Sequence, residues 1–496
     1  MRFTNRRFPA PATRLLFSGA FLLLAALGAG CSDNDNNLSP DNTAPVVSGT
    51  LSTGSVTPFS AVISWSAASD ETTGASALAY KVVRASAAAD IDTVAEADAV
   101  TGSGLVKDWT AGITSADASL LLSDTTYHFA VLVRDLAGNM AIYAPVSQET
   151  VAISSPFLAS LPNGNLLLVY RDDDDGDKGK SVVFDGTGRY VAGPTTVVAD
   201  GVKDGWGTDI RVIAHGSGVP VVSYVSKTDG TGYFATLDNS GAVTAGPTQY
   251  MNDPSLFLAT GVAGGGGNSL FLASGRGDYP SASQQGGSFA IHDIGDGSVV
   301  KAVTEFNDGG SNDETRGAAA SSIGADRFFF LYSQGWSSLT PRFVIYDEAG
   351  TVQVADSAFA TTKANTFQAV KLADNNAFVT YVDLNDSSKG KFAVYQSDGV
   401  LAVGATTFAD VTLNNDWLAA TVTGDGYVFI AYSDSSDGNK AKYVVHDGTG
   451  ALVTPATDLS SGAAYPFSAA TLSNDSIATV CHITGNSYTL LYVTGQ

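Results

Sequence analysis

The sequence predicts an all-β protein, and three observations predict it. The 49 acidic residues divide into 43 Asp and only 6 Glu, and Asp favours turns where Glu favours helix interiors. No stretch after residue 30 carries a sustained helical stripe of apolar residues. The same Asp-Gly-Thr-Gly turn ends two β-like runs, at Asp185–Gly188 and Asp447–Gly450, 262 residues apart. With 53 Gly in 496 residues, this is the composition of short strands joined by tight turns. The length allows two or more domains.

The chain opens on an export signal over residues 1–30. Arg2, Arg6, Arg7 and Arg14 precede an apolar run from Leu15 to Leu27, too short to span a membrane comfortably. Small residues Gly28, Ala29 and Gly30 then lead to Cys31. This resembles the lipobox of bacterial lipoproteins, although Gly28 stands where that family usually has Leu. The resemblance implies cleavage before Cys31 and lipidation of its sulfur; an ordinary signal peptide cut nearby is the competing reading. Residues 31–43 are polar and acidic and read as a tether. Ser32 resembles members sent to the outer membrane. The second cysteine, Cys481, lies in an apolar run and reads as a buried, inert thiol.

Residues 44–149 form a separate unit of strand-like runs with Trp65 and Tyr80 as core aromatics. Leu121, Thr125 and Tyr127 stand at the spacing of the Leu-x-x-x-Thr-x-Tyr corner of fibronectin type III domains, in which the Tyr hydroxyl bonds back to the backbone. The unit resembles that family. The resemblance implies a β-sandwich serving as a spacer or binding module.

Residues 150–496 repeat. A turn headed by Asp185, Asp238, Asp293, Asp347, Gln396 and Asp447 recurs at spacings of 53, 55, 54, 49 and 51 residues. An independent register ends an apolar run at Tyr170, Tyr224, Ser274, Tyr332, Tyr381, Tyr432 and Cys481. Seven units of about 50 residues, each readable as four short strands, predict a seven-bladed β-propeller. The last unit is one strand short. Residues 148–154 are a natural donor for closing the ring, or else they finish the preceding sandwich. The repeat resembles bacterial extracellular propellers as a class and no narrower family.

Several groups are candidates for chemistry. Asp172, Asp174, Asp175 and Asp177 crowd one loop of the first unit, an oxygen-rich set of the kind calcium takes, although the sequence makes no cofactor certain. Turn-forming Asp is the competing reading. Asp383 and Asp386, and Asp434 and Asp437, repeat the spacing of Asp172 and Asp175. Trp206, Trp336 and Trp417 are candidates for ligand stacking, and Phe157, Phe367, Trp417 and Phe467 open the first strand of four units. Packing between blades is the alternative for these rings. The five His are scattered, and no nucleophile elbow or phosphate loop is present.

A net charge of −23 argues against nucleic acid as a partner. The expectation is an exported, lipid-anchored protein of the bacterial cell envelope, in the outer membrane and facing the periplasm or the cell surface. It would bind a glycan or another surface protein without catalysis. The alternative is a propeller enzyme, a glycan hydrolase or lyase, acting on extracellular polysaccharide.

Overall fold

The computed structural model describes residues 4–5, 40–203, 210–252, 256–265, 267–276, 287–307, 315–335, 337–483 and 487–494. Cys31 and nearly all of the expected signal and tether lie outside them. The described chain is almost wholly strand and turn.

The N-terminal unit pairs two antiparallel sheets. Three strands, Ser52–Gly54, Ser60–Ser64 and Ser115–Ser119, form one. The other runs in the order Leu105–Ala111, Ala79–Ala85, Thr126–Arg134, Met140–Glu149. Alternating residues of both sheets meet in one core that includes Ile63, Trp65, Tyr80, Val82, Phe129 and Val131. The Tyr127 hydroxyl accepts a hydrogen bond from the Leu122 amide at 2.9 Å, which fixes the corner before strand Thr126–Arg134.

Beyond residue 152 the chain forms seven blades. The first runs Ile153–Ser160, Leu166–Asp172, Lys178–Phe184, Tyr190–Val198, each strand antiparallel to the last. The innermost strands of the seven blades touch in succession, and the last, Tyr465–Thr471, packs against the first, Ile153–Ser160. The ring is therefore closed, and the arrangement is a propeller around a central channel. Blades five and six share one extended segment, Leu401–Val422, which crosses from the rim to the channel. Residues 417–422, expected to start a strand, are the end of that segment.

The repeated turns are scaffold. In the first blade Asp185 Oδ1 accepts hydrogen bonds from the Thr187 amide and hydroxyl and from the Arg189 amide. Asp447 does the same for Thr449 and Ala451. Gly188 and Gly450 adopt φ of 85° and 87°, which side chains resist. A Cβ at Gly450 would also lie 2.8 Å from Phe392 of the preceding blade, so the glycine allows blades to approach closely.

The residue before each turn builds the seams. His292, Tyr346, Tyr395 and His446 meet Phe234, Phe289, Phe343 and Phe392 of the preceding blade at ring distances of 5.2, 4.2, 4.9 and 4.9 Å. At the closing seam Phe184 of blade one faces Phe59 of the sandwich at 6.4 Å. Phe59 is fully buried in the same apolar cluster as Leu168, Val480 and Leu490.

The sandwich thus docks on blades seven and one. The Ser123 amide donates to the Tyr488 carbonyl at 3.0 Å, and the Tyr488 amide donates to Ser123 Oγ at 2.8 Å. Blade seven has three strands of its own, Tyr465–Thr471, Ile477–His482 and Tyr488–Thr494. At the far end of its outer edge, Val493 and Thr494 pair with Asn5 and Thr4. Residues 148–154 do not supply a closing strand. Gln148 and Glu149 end the sandwich, while Ile153 and Ser154 begin the innermost strand of blade one.

The register residues Tyr170, Tyr332, Tyr381 and Tyr432 are at most 2 % exposed, and Cys481 occupies the same slot at 0 %. Burial pushes the Cys481 thiol above its ordinary range, so it stays protonated.

Candidate functional site

The channel mouth is shaped by one recurring irregularity. The innermost strands of blades one, three, four, five, six and seven each slip register against their neighbours at the same level. Ser155 and Thr366 reach positive φ there, 48° and 54°. Such bulges bend a strand and re-aim its side chains. Phe157, Phe367, Trp417 and Phe467 lie at or beside the slip, so they sit inside strands and do not open them. Phe157, Phe367 and Phe467 line a cavity of about 320 Å³ in the channel, whose walls are otherwise mostly Ala, Val and Ser.

At this mouth the aromatic residues of blades six, seven and one form a continuous cluster. Phe157 meets Phe467 edge-on at 5.1 Å, and Phe467 lies 5.8 Å from Trp417. Trp417 stacks on His482 at 5.4 Å with planes 8° apart, and Tyr465 lies 5.5 Å from Trp417. Tyr488 closes the group, edge-on to His482 at 5.1 Å. The Arg211 guanidinium lies 4.9 Å over the Phe157 ring at the other end. Phe157, Trp417, Tyr465, Phe467 and His482 are half-buried, whereas the rings of the blade seams are buried. Rings in that state offer apolar faces and a few polar edges to a ligand.

The opposite mouth differs. It widens to about 600 Å³ among Gly216, Ser217, Gly264, Gly265, Ser322 and Lys371, and among the described residues no aromatic ring lines it.

The acidic loop of blade one is a set of ion pairs. Lys180 Nζ lies 2.7 Å from Asp172 and 2.7 Å from Asp175, and Lys178 pairs with Asp175 at 2.9 Å. Asp177 pairs with Lys227, and Asp174 accepts a hydrogen bond from the Ala152 amide. Of the four carboxylates considered for calcium, Asp172 and Asp175 meet on Lys180, while Asp174 and Asp177 bond to other partners. Blades five and six repeat the clamp. Lys391 bridges Asp383 and Asp386 at 2.9 and 2.8 Å, and Lys442 bridges Asp434 and Asp437 at 2.9 and 3.0 Å. Hydrogen bonds from Lys180 and Lys178 hold the Asp175 carboxyl down to about 2. The same kind of contact lowers Asp386 and Asp437.

Among the described residues, three carboxylates come within 4.8 Å of one another only at Asp41, Asp70 and Asp135, in the sandwich. There Asp135 accepts hydrogen bonds from the Gly138 and Asn139 amides, and Asp70 from the Thr72 and Thr73 amides. They fasten its loops.

Of the residues singled out for ligand stacking, Trp417 belongs to the aromatic cluster, and Trp206 and Trp336 lie outside the described residues. Tyr465, His482 and Tyr488 were not singled out. His482 adjoins Cys481, and strand alternation turns one into the core and the other to the mouth. His215, His292 and His446 are 2–3 % exposed, and each bonds a group close to its own turn.

No family model matches the chain, and no curated protein matches it. Solved structures do resemble it. The BP39L lectin from Burkholderia pseudomallei is 12% identical with a TM-score of 0.52, over 69% of this chain and 96% of that one. The fucose-specific lectin from Aleuria aurantia is 14% identical with a TM-score of 0.40, over 62% of this chain and 98% of that one. A polysaccharide lyase, an ulvan lyase, is 10% identical with a TM-score of 0.46, over 69% of this chain and 94% of that one. The likeness is one of fold, and the first of these carries it.

Proposed function

We propose that this chain is an exported, lipid-anchored cell-surface protein that binds glycans at the aromatic mouth of its propeller without turning them over. The observation that carries the reading is the half-buried run of Phe157, Phe467, Trp417, Tyr465 and His482. Pyranose rings present C–H faces that pack on aromatic rings and hydroxyls that reach polar edges, and this mouth offers both. The lectin fold of the Burkholderia pseudomallei protein is in keeping with it. The lipobox-like stretch ending at Cys31 supports the anchor. The three-plus-four strand order and the Tyr127 corner support a fibronectin type III-like spacer between tether and propeller.

A glycan array combined with a hydrolysis and elimination screen, run on the chain lacking residues 1–31, tests the reading. Binding without turnover is expected. Turnover of any bound glycan would replace it with the enzyme reading, and no binding on the array would remove the glycan. Cys31→Ala is expected to release the protein from membranes; unchanged fractionation would remove the anchor.

A further inference from the structure

We propose that the N-terminal sandwich is a working part of the mouth site, with Ser123 a positioning residue that sets His482 and Trp417 through Tyr488. The proposal rests on the glycan-binding reading of that mouth.

The chain of contacts is short. Ser123 is fully buried and holds Tyr488 through two hydrogen bonds, one at each backbone group of the same residue. Tyr488 begins the outermost strand of blade seven, so its backbone there is bonded sideways by the sandwich. Its ring meets His482 edge-on at 5.1 Å and Phe467 at 6.3 Å. His482 in turn stacks on Trp417. Two side chains of the candidate site therefore lean on a ring whose backbone the other domain holds.

The loop that carries Ser123 is itself braced. Thr150 Oγ1 donates to the Leu122 carbonyl at 2.6 Å and accepts from the Thr125 amide at 3.1 Å. The Tyr127 corner bond holds the same loop at Leu122. A further polar tie, Arg189 to Asp117 at 2.9 Å, is solvent-exposed and lies beside the turn of blade one. Exposed pairs of that kind contribute little.

The readout is the stack itself. Protonation of His482 places a cation against the Trp417 indole and changes its emission. The measured quantity is the pH titration of emission in the chain from Cys31 onward, taken as the difference from Trp417→Phe. Ser123→Ala removes the acceptor for the Tyr488 amide, and Thr150→Val loosens the loop without touching Tyr488. Both are expected to shift the titration midpoint in the same direction and to weaken glycan affinity by about fivefold, as loss of one buried hydrogen bond would. Arg189→Ala is expected to change neither. An unchanged titration in Ser123→Ala and Thr150→Val would overturn the proposal, as would an equal shift in Arg189→Ala. If the parent protein binds no glycan while the titration still responds to Ser123→Ala, the positioning stands and the glycan reading falls.

Discussion

Lys180 Nζ lies 2.7 Å from Oδ2 of Asp172, a carboxylate whose side chain is only 4% exposed. The pair stands at the end of a strand hairpin in blade one and recurs as Lys391 with Asp383 and Lys442 with Asp434. In each, Asp is the more deeply buried member, so removing the lysine strands a carboxylate in the protein interior. Lys180→Met is expected to lower unfolding free energy by about 3 kcal/mol, read by denaturant titration. A change below about 0.5 kcal/mol would mean that the clamp behaves as an exposed surface pair.

Acid should unfold the protein in two separable steps. His292 and His446 are buried, and burial lowers both below the ordinary 6.5. The unfolded chain takes up these protons first, so stability is lost as pH falls below about 6.5 toward the folded values. Of the clamp carboxylates, Asp175, Asp386 and Asp437 are depressed by their lysines, with Asp175 held near 2. Their contribution is intact above the unfolded value of 3.8 and disappears as pH falls through the folded one. His446→Tyr copies Tyr346 and Tyr395, which fill the same place in blades four and five. It should reduce the upper step to the His292 contribution and leave the lower one, as measured by thermal midpoints from pH 7 to 3.

Phe59→Ala should weaken the ring as well as the sandwich. The Phe59 side chain is fully buried between the domains, so truncation leaves a cavity at the closing seam and should cost about 3–5 kcal/mol. Calorimetry is expected to show one transition in the parent and a propeller transition moved to lower temperature in the variant. A shift confined to the sandwich would show that the propeller closes without it.

Trp417→Ala should reduce affinity for any glycan found on the array by about tenfold or more, as loss of a central aromatic contact does. Its half-buried position predicts a smaller effect on the unfolding midpoint than Phe59→Ala. Equal affinity in Trp417→Ala and the parent would place the ligand elsewhere on the ring.

The repeat was legible because its markers are local. Asp185 and Asp447 satisfy the amides of their own turns, and the register Tyr ends its own strand, so both follow from spacing alone. The lysine clamp was also written locally. Lys stands six and eight residues after Asp172, Asp383 and Asp434, and reading the carboxylates without those cations led to calcium. The mouth was not legible in this way. Phe157, Trp417, Tyr465, Phe467 and His482 come together only where blades six, seven and one meet, and the bulges of those strands follow no shared residue pattern. The Ser123 contact to Tyr488 spans 365 residues, beyond the reach of any spacing argument.

That span also orders the life of the molecule. The sandwich precedes blade seven by more than 300 residues, and Phe59 and Ser123 gain Val480, Leu490 and Tyr488 as partners only when blade seven assembles. Loop closure over such a distance is slow, and apolar surface exposed in the interval invites aggregation or proteolysis.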